Sequence, residues 1–253
     1  MVVYNWDDLD SFSQSLFFSK GTALSVGSFD GLHLGHRFLL NTLVQTAKEK
    51  DLVTGLITFL RPLPSVKHSD DYTGDISTFN QRLTLFESLG IDFVIAVNFN
   101  DTFASLKGTD FLSILVQKCN MKFLAEGIDF RCGYKGATDT QSIRYWAQNN
   151  NIECTFVDPV YYTEADGTQE RVSSSYIRSM IQKGFFSTVN TLLSRPYELD
   201  LQQKENIQIM PPDGIYRTQG NIDGDDEFIR LEIENGKIKN IPKDRSLKFV
   251  RFF

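Results

Sequence analysis

Histidine and cysteine are scarce in this chain of 253 residues, with three of each, and tryptophan occurs only twice. The cysteines, Cys119, Cys132 and Cys154, make no even set and show no metal-ligand spacing. Neither a disulfide framework nor a zinc ribbon is expected, and reduced thiols point to a cytoplasmic protein. A basic excess is also missing. Lys and Arg total 26 against 32 Asp and Glu, a net charge of -6. That balance argues against broad contact with nucleic-acid phosphates or an anionic membrane. No apolar run reaches the length of a membrane span. The acidic start "MVVYNWDDLDSF" lacks the basic and apolar regions of a secretory signal. These absences leave a globular composition, 41% hydrophobic, with 21 phenylalanines to bury.

What is present is an alternation. The apolar runs at 23–29, 52–60, 93–99, 122–130 and 152–160 read as buried strands. Between them lie helical patterns. His36 to Lys50 puts Leu39, Leu40, Leu43 and Ala47 on one face, and 78–90 does the same with Leu83, Phe86 and Leu89 before Gly90. Further helices are expected at 108–120, 139–150 and 173–184, the last fed by the final strand, capped by serines and stopped at Gly184. The pattern predicts an α/β fold, a Rossmann-like doubly wound parallel sheet with helices on both faces and ligands beyond the carboxyl ends of its strands. After 192–200 the texture turns to short strands and turns, with Asn235-Gly236 a hairpin signal. We therefore expect a domain over 1–195 and a small β-rich appendage over 196–253.

Two of the three histidines stand in "GSFDGLHLGH" (27–36), between the first predicted strand and the first helix. Gly27, Gly31 and Gly35 let backbone approach a ligand, and the helix start offers free N–H groups to an anion. The spacing matches neither GxxxxGK[ST] nor GxGxxG. The loop instead offers two imidazoles, His33 and His36, able to donate to phosphate oxygens. Zinc would need a third protein ligand, and no His or Cys cluster supplies one. A second constellation is "RVSSSYIRSM" (171–180). Hydroxyls at a helix start and the Arg178 guanidinium suit a polyphosphate, although an ordinary N-cap with a surface arginine would read the same way.

Together these stretches resemble the HxGH nucleotidyltransferases, and more closely the bacterial FAD synthetase module. The resemblance rests on "SFDGLHLGH" (28–36), "TFLRPLP" (58–64), "GIDFRCG" (127–133), "VSSSYIR" (172–178) and "LLSRPY" (192–197), five motifs in the expected order. It implies that His33 and His36 contact the phosphates of ATP during adenylyl transfer, with Arg178 holding the triphosphate. Gly27, Phe29, Asp30, Gly31, Ser174 and Ser175 would complete the ATP site, and Pro62, Pro64 and Asp129 would line the flavin site. ATP and FMN are the implied substrates, with Mg2+ carried mainly by the ATP phosphates and no dedicated metal ligands.

Two departures matter. Cys132 stands where the family pattern has an aromatic ring, which bears on flavin affinity. No "PTAN" or "GRxLG" follows Tyr197, and only 56 of the 253 residues come after it. Residues 196–253 resemble a remnant of a riboflavin kinase barrel, so FMN adenylyltransferase without kinase activity is the expectation. A nucleotidyltransferase for another phosphorylated acceptor, or a non-catalytic flavin- or nucleotide-binding protein, are the alternatives.

Overall fold

The computed structural model describes residues 1–63, 72–203, 207–240 and 245–253. The chain divides into two compact units. One takes Met1–Phe29, the stretch from His36 and Leu83–Pro159; the other takes Asp30–Gly35, the stretch up to Arg82 and Val160–Phe253. Among the described residues no helix is long and apolar enough to cross a membrane.

The first unit is built on six strands: β1 (Val2–Asn5), β2 (Thr22–Val26), β3 (Val53–Phe59), β4 (Phe93–Val97), β5 (Met121–Gly127) and β6 (Glu153–Val157). They lie in the order β1-β4-β3-β2-β5-β6, and every pairing is parallel. In β2, β3 and β4 every residue is buried, so both faces of the sheet centre are covered. Helices α1 (Leu34–Glu49), α2 (Phe79–Ser88), α3 (Gly108–Cys119) and α4 (Thr140–Asn149) follow successive strands, as the 3.6-residue periodicity predicts. Gly55 in β3 has a packing reason: a Cβ there would lie 2.1 Å from the Phe93 ring. Phe93 is in turn surrounded by the rings of Tyr4, Phe12 and Phe17. Much of the phenylalanine is thus spent in this core.

The predicted strands run one to three residues too far at their carboxyl ends. Phe29 has a positive φ of 47°, and the Phe130 N–H turns back to the Gly127 carbonyl at 2.9 Å. Apolar side chains in these loops imitate strand continuation. The four-residue β1, with Val2 and Val3 exposed, carries too short a pattern to be read.

The second unit corrects another expectation. The last parallel strand does not feed the serine helix directly. A hairpin of β7 (Tyr161–Thr163) and β8 (Gln169–Arg171) intervenes, before α5 (Ser174–Gln182) and the unpredicted α6 (Phe186–Leu193). Strands β9 (Tyr197–Asp200), β10 (Gly214–Ile222), β11 (Asp225–Glu234), β12 (Lys237–Ile238) and β13 (Leu247–Phe252) form a second sheet, antiparallel, in the order β9-β13-β10-β11-β12. Asn235-Gly236 turns as expected, with φ of 52° and 67°. Asp223-Gly224, at 55° and 105°, makes the other hairpin by the same chemistry. Ile177, Ile181, Val189 and Leu193 of the two helices share a core with Leu199, Leu231, Val250 and Phe252 of the sheet. Phe186 stacks on Tyr197 and Phe252.

Candidate active site

The direction of chain travel locates the site region of the parallel sheet. From β2 the chain adds β3 and β4 on one side, then returns to add β5 and β6 on the other. The strand order therefore reverses between β2 and β5, the position where open α/β sheets bind ligands at the carboxyl ends. The loop after β2 is the histidine loop, and the loop after β5 holds Asp129.

The histidine loop is bent sharply. Phe29, Gly31 and Leu32 all have positive φ, at 47°, 76° and 42°. For Phe29 and Leu32 that conformation costs energy, so it persists only where surroundings impose it. Asp30 supplies the constraint. Its carboxylate accepts the N–H groups of Ile76 (3.0 Å) and Ser77 (3.0 Å) and pairs with the Arg178 guanidinium. Its carbonyl accepts the Ser174 hydroxyl at 3.0 Å, and the next N–H, of Gly31, donates to Ser77 Oγ at 2.9 Å. Gly31 has no room for a side chain: a Cβ would sit 2.8 Å from Ile76 Cγ2. Arg178 also donates through Nε to the Gly74 carbonyl at 2.8 Å and lies over the Tyr72 ring.

His33 is 5% exposed. Burial, and then the charges of Arg171, Arg178 and Arg195, lower its pKa from 6.5 to about 3. A neutral imidazole therefore sits in the field of three guanidiniums. Arg171 and Arg195 lie within the motifs "RVSSSYIRSM" and "LLSRPY", where the spacing alone does not mark them as neighbours of His33. The signal was available: both flank helices of the second unit, Arg171 two residues before "SSS" and Arg195 beside "PY".

The serines divide their work. Ser173, at the N-cap of α5, accepts the Tyr176 N–H; Ser174 turns to Asp30; Ser175 is exposed on the first turn. In the first unit, Gly27 donates to the Ile57 carbonyl at 3.0 Å and lies against the Phe29 ring, where a Cβ would be 3.0 Å from Cζ. His36, half-buried on the first turn of α1, meets Phe29 edge-on with ring centroids 5.4 Å apart. Ser28 Oγ accepts the Leu63 N–H at 3.2 Å, fastening the loop after β3 beside buried Pro62. Pro64 lies outside the described residues. Asp129 is exposed after β5. Cys132 is buried in the core of the first unit, and burial pushes its thiol up to about 12. The structure thus brings Asp30, Gly31, His33, Ser174 and Arg178 together in the second unit. The first unit carries Gly27, Phe29, His36, Pro62 and Asp129.

Among the described residues no group of three or more His, Cys, Asp or Glu could hold a metal ion. One acidic residue escaped the sequence analysis. Glu126 is buried at the end of β5, where its Oε1 accepts the Val26 N–H at 2.6 Å. An acid inside the apolar run "KFLAEGIDF" was the available signal.

The family model described as FAD synthetase matches residues 17–176. The bifunctional riboflavin kinase/FMN adenylyltransferase of Bacillus subtilis is 30% identical over 224 residues, covering 81% of this chain and 69% of that protein. The FAD synthetase of Listeria monocytogenes is 25% identical over 210 residues, covering 81% and 83%. A crystal structure titled as a macrolide-efflux protein from Streptococcus pneumoniae shares the fold, with a TM-score of 0.79 at 19% identity over 100% of this chain and 98% of its own. With its motifs, its parallel sheet and its match over 17–176, the chain belongs to the FAD synthetase family.

Proposed function

We infer that this chain is an FMN adenylyltransferase. A phosphate oxygen of FMN attacks the α-phosphorus of ATP. The new P–O bond forms as the bond from the α-phosphorus to the bridging oxygen breaks, giving FAD and pyrophosphate. The second ionisation of a phosphate monoester lies near pH 6, so the attacking oxygen needs no general base at neutral pH. Catalysis is then positioning plus stabilisation of charge.

The observation that carries this reading is His33, a buried neutral imidazole in the field of Arg171, Arg178 and Arg195. Such a field favours a polyanion and disfavours a bare cation. His33 and His36 donate hydrogen bonds to the phosphates. Arg178 contributes its charge while its side chain holds Asp30 in place. Gly27, Phe29, Asp30 and Gly31 shape the ATP loop, with Ser174 and Ser175 at the start of α5. Pro62 and Asp129 line the flavin side, in loops after β3 and β5. The magnesium ion belongs to the ATP substrate, carried by its phosphates and waters. On the same reading, 1–195 is the nucleotidyltransferase domain and 196–253 the barrel remnant, without riboflavin kinase activity.

The test mixes the protein with ATP, Mg2+ and either FMN or riboflavin, and follows FAD and pyrophosphate. FAD is expected from FMN and no flavin phosphate from riboflavin. His36→Ala, which removes one donor to the phosphates, should slow FAD formation by about 10²–10³-fold. Pyrophosphate release with another phosphorylated acceptor in place of FMN, or near-normal turnover by His36→Ala, would overturn the assignment.

A further inference from the structure

The two central strands of the parallel sheet separate before they end. β2 stays paired with β3 through Val26↔Ile57, and β5 stays paired with β6 through Gly127↔Val157. Between β2 and β5, however, the ladder stops at Leu24↔Leu124. The Val26 N–H therefore points toward β5 with no backbone carbonyl to receive it. A buried N–H left unsatisfied is destabilising. The Glu126 carboxyl receives it instead, at 2.6 Å, from a side chain only 2% exposed. The next residue along β2 is Gly27, which opens the histidine loop; the next along β5 is Gly127, which opens the loop of Asp129.

We propose that Glu126 is a positioning residue of the adenylyltransferase site: its carboxyl replaces the missing strand pairing and sets the spacing of the loops after β2 and β5. A backbone pair would draw these strand ends to the ordinary spacing of about 4.8 Å. A carboxyl on a two-carbon arm holds them apart yet fixed. Burial favours its protonated form, which spares the core an unpaired charge. The proposal rests on the transferase reading for its kinetic consequence and on the strand geometry for its structural one.

Two variants separate these. Glu126→Gln keeps the acceptor and the reach, whereas Glu126→Asp keeps the carboxyl and shortens the arm by one carbon. Each is assayed for FAD formation from FMN and ATP and for amide hydrogen exchange. Glu126→Asp should lose about tenfold to a hundredfold in kcat/KM, as expected for a displacement of about 1 Å at a reacting centre, and Glu126→Gln should restore most of it. Amides of 26–32 and 127–132 should exchange faster in Glu126→Asp, while β3 and β4 stay protected. If Glu126→Asp only lowers Tm, with kcat/KM and loop exchange unchanged well below it, the proposal is overturned. Wild-type protein that makes no FAD would sink the transferase reading alone, and the exchange pattern of the two variants would still decide the role of Glu126.

Discussion

The loop after β2 and the loop after β5 leave the same edge of one sheet, yet they are held very differently. Asp30 in the first is buried and bound by two backbone N–H groups and a guanidinium. Asp129 in the second is exposed beside a single turn closed by the Phe130 N–H. The first arrangement is rigid and strained, fitting a ligand whose phosphates are always the same. The second puts its carboxylate at the surface. An acid in a glycine-rich loop can therefore serve the backbone and not the substrate, and only its partners reveal which.

Acid should break the rigid loop first. The His33 pKa is about 3 in the folded protein against 6.5 for an ordinary histidine, so between those values the unfolded chain binds the extra proton. Stability from this group is complete above pH 6.5 and is lost as pH falls toward 3. The loss is on the order of 4–5 kcal/mol. Urea unfolding at a series of pH values should show the slope in wild type and a flatter one in His33→Gln. Asp30→Ala comes next. It leaves the Arg178 guanidinium buried without its carboxylate and should cost about 3–5 kcal/mol, read as a fall in urea midpoint. Asp129→Ala sharpens the contrast from the other side. Its stability should stay within about 0.5 kcal/mol of wild type, while KM rises for FMN and not for ATP.

Most of the parallel sheet was legible because β2, β3 and β4 are uninterrupted runs of buried residues, which only a doubly covered sheet requires. Strand ends were not, since Phe29 and Ile128 are apolar and give no sign that the backbone has turned. The hairpin at 161–171 was hidden for the opposite reason: its strands are three residues long and mostly exposed. In the candidate site, His33 and Arg178 were legible as residues, but the chemistry around them was not. Arg195 reaches His33 from a distant part of the sequence, and the Asp30–Arg178 pair spans 148 positions. Glu126 could have been suspected as a charge in an apolar strand. Its partner, a backbone N–H of another strand, has no signature in a sequence.

The most direct measurement is a pH titration of the imidazole resonances by NMR, with and without a non-hydrolysable ATP analogue and Mg2+. The chain holds only three histidines, so single substitutions assign them. His33 should remain neutral to about pH 3 in the free protein. Bound triphosphate puts negative charge beside the ring and should move its titration upward, although burial still holds it below 6.5. A His33 ring that titrates near 6.5 in the free protein, or does not respond to the nucleotide, would contradict the account.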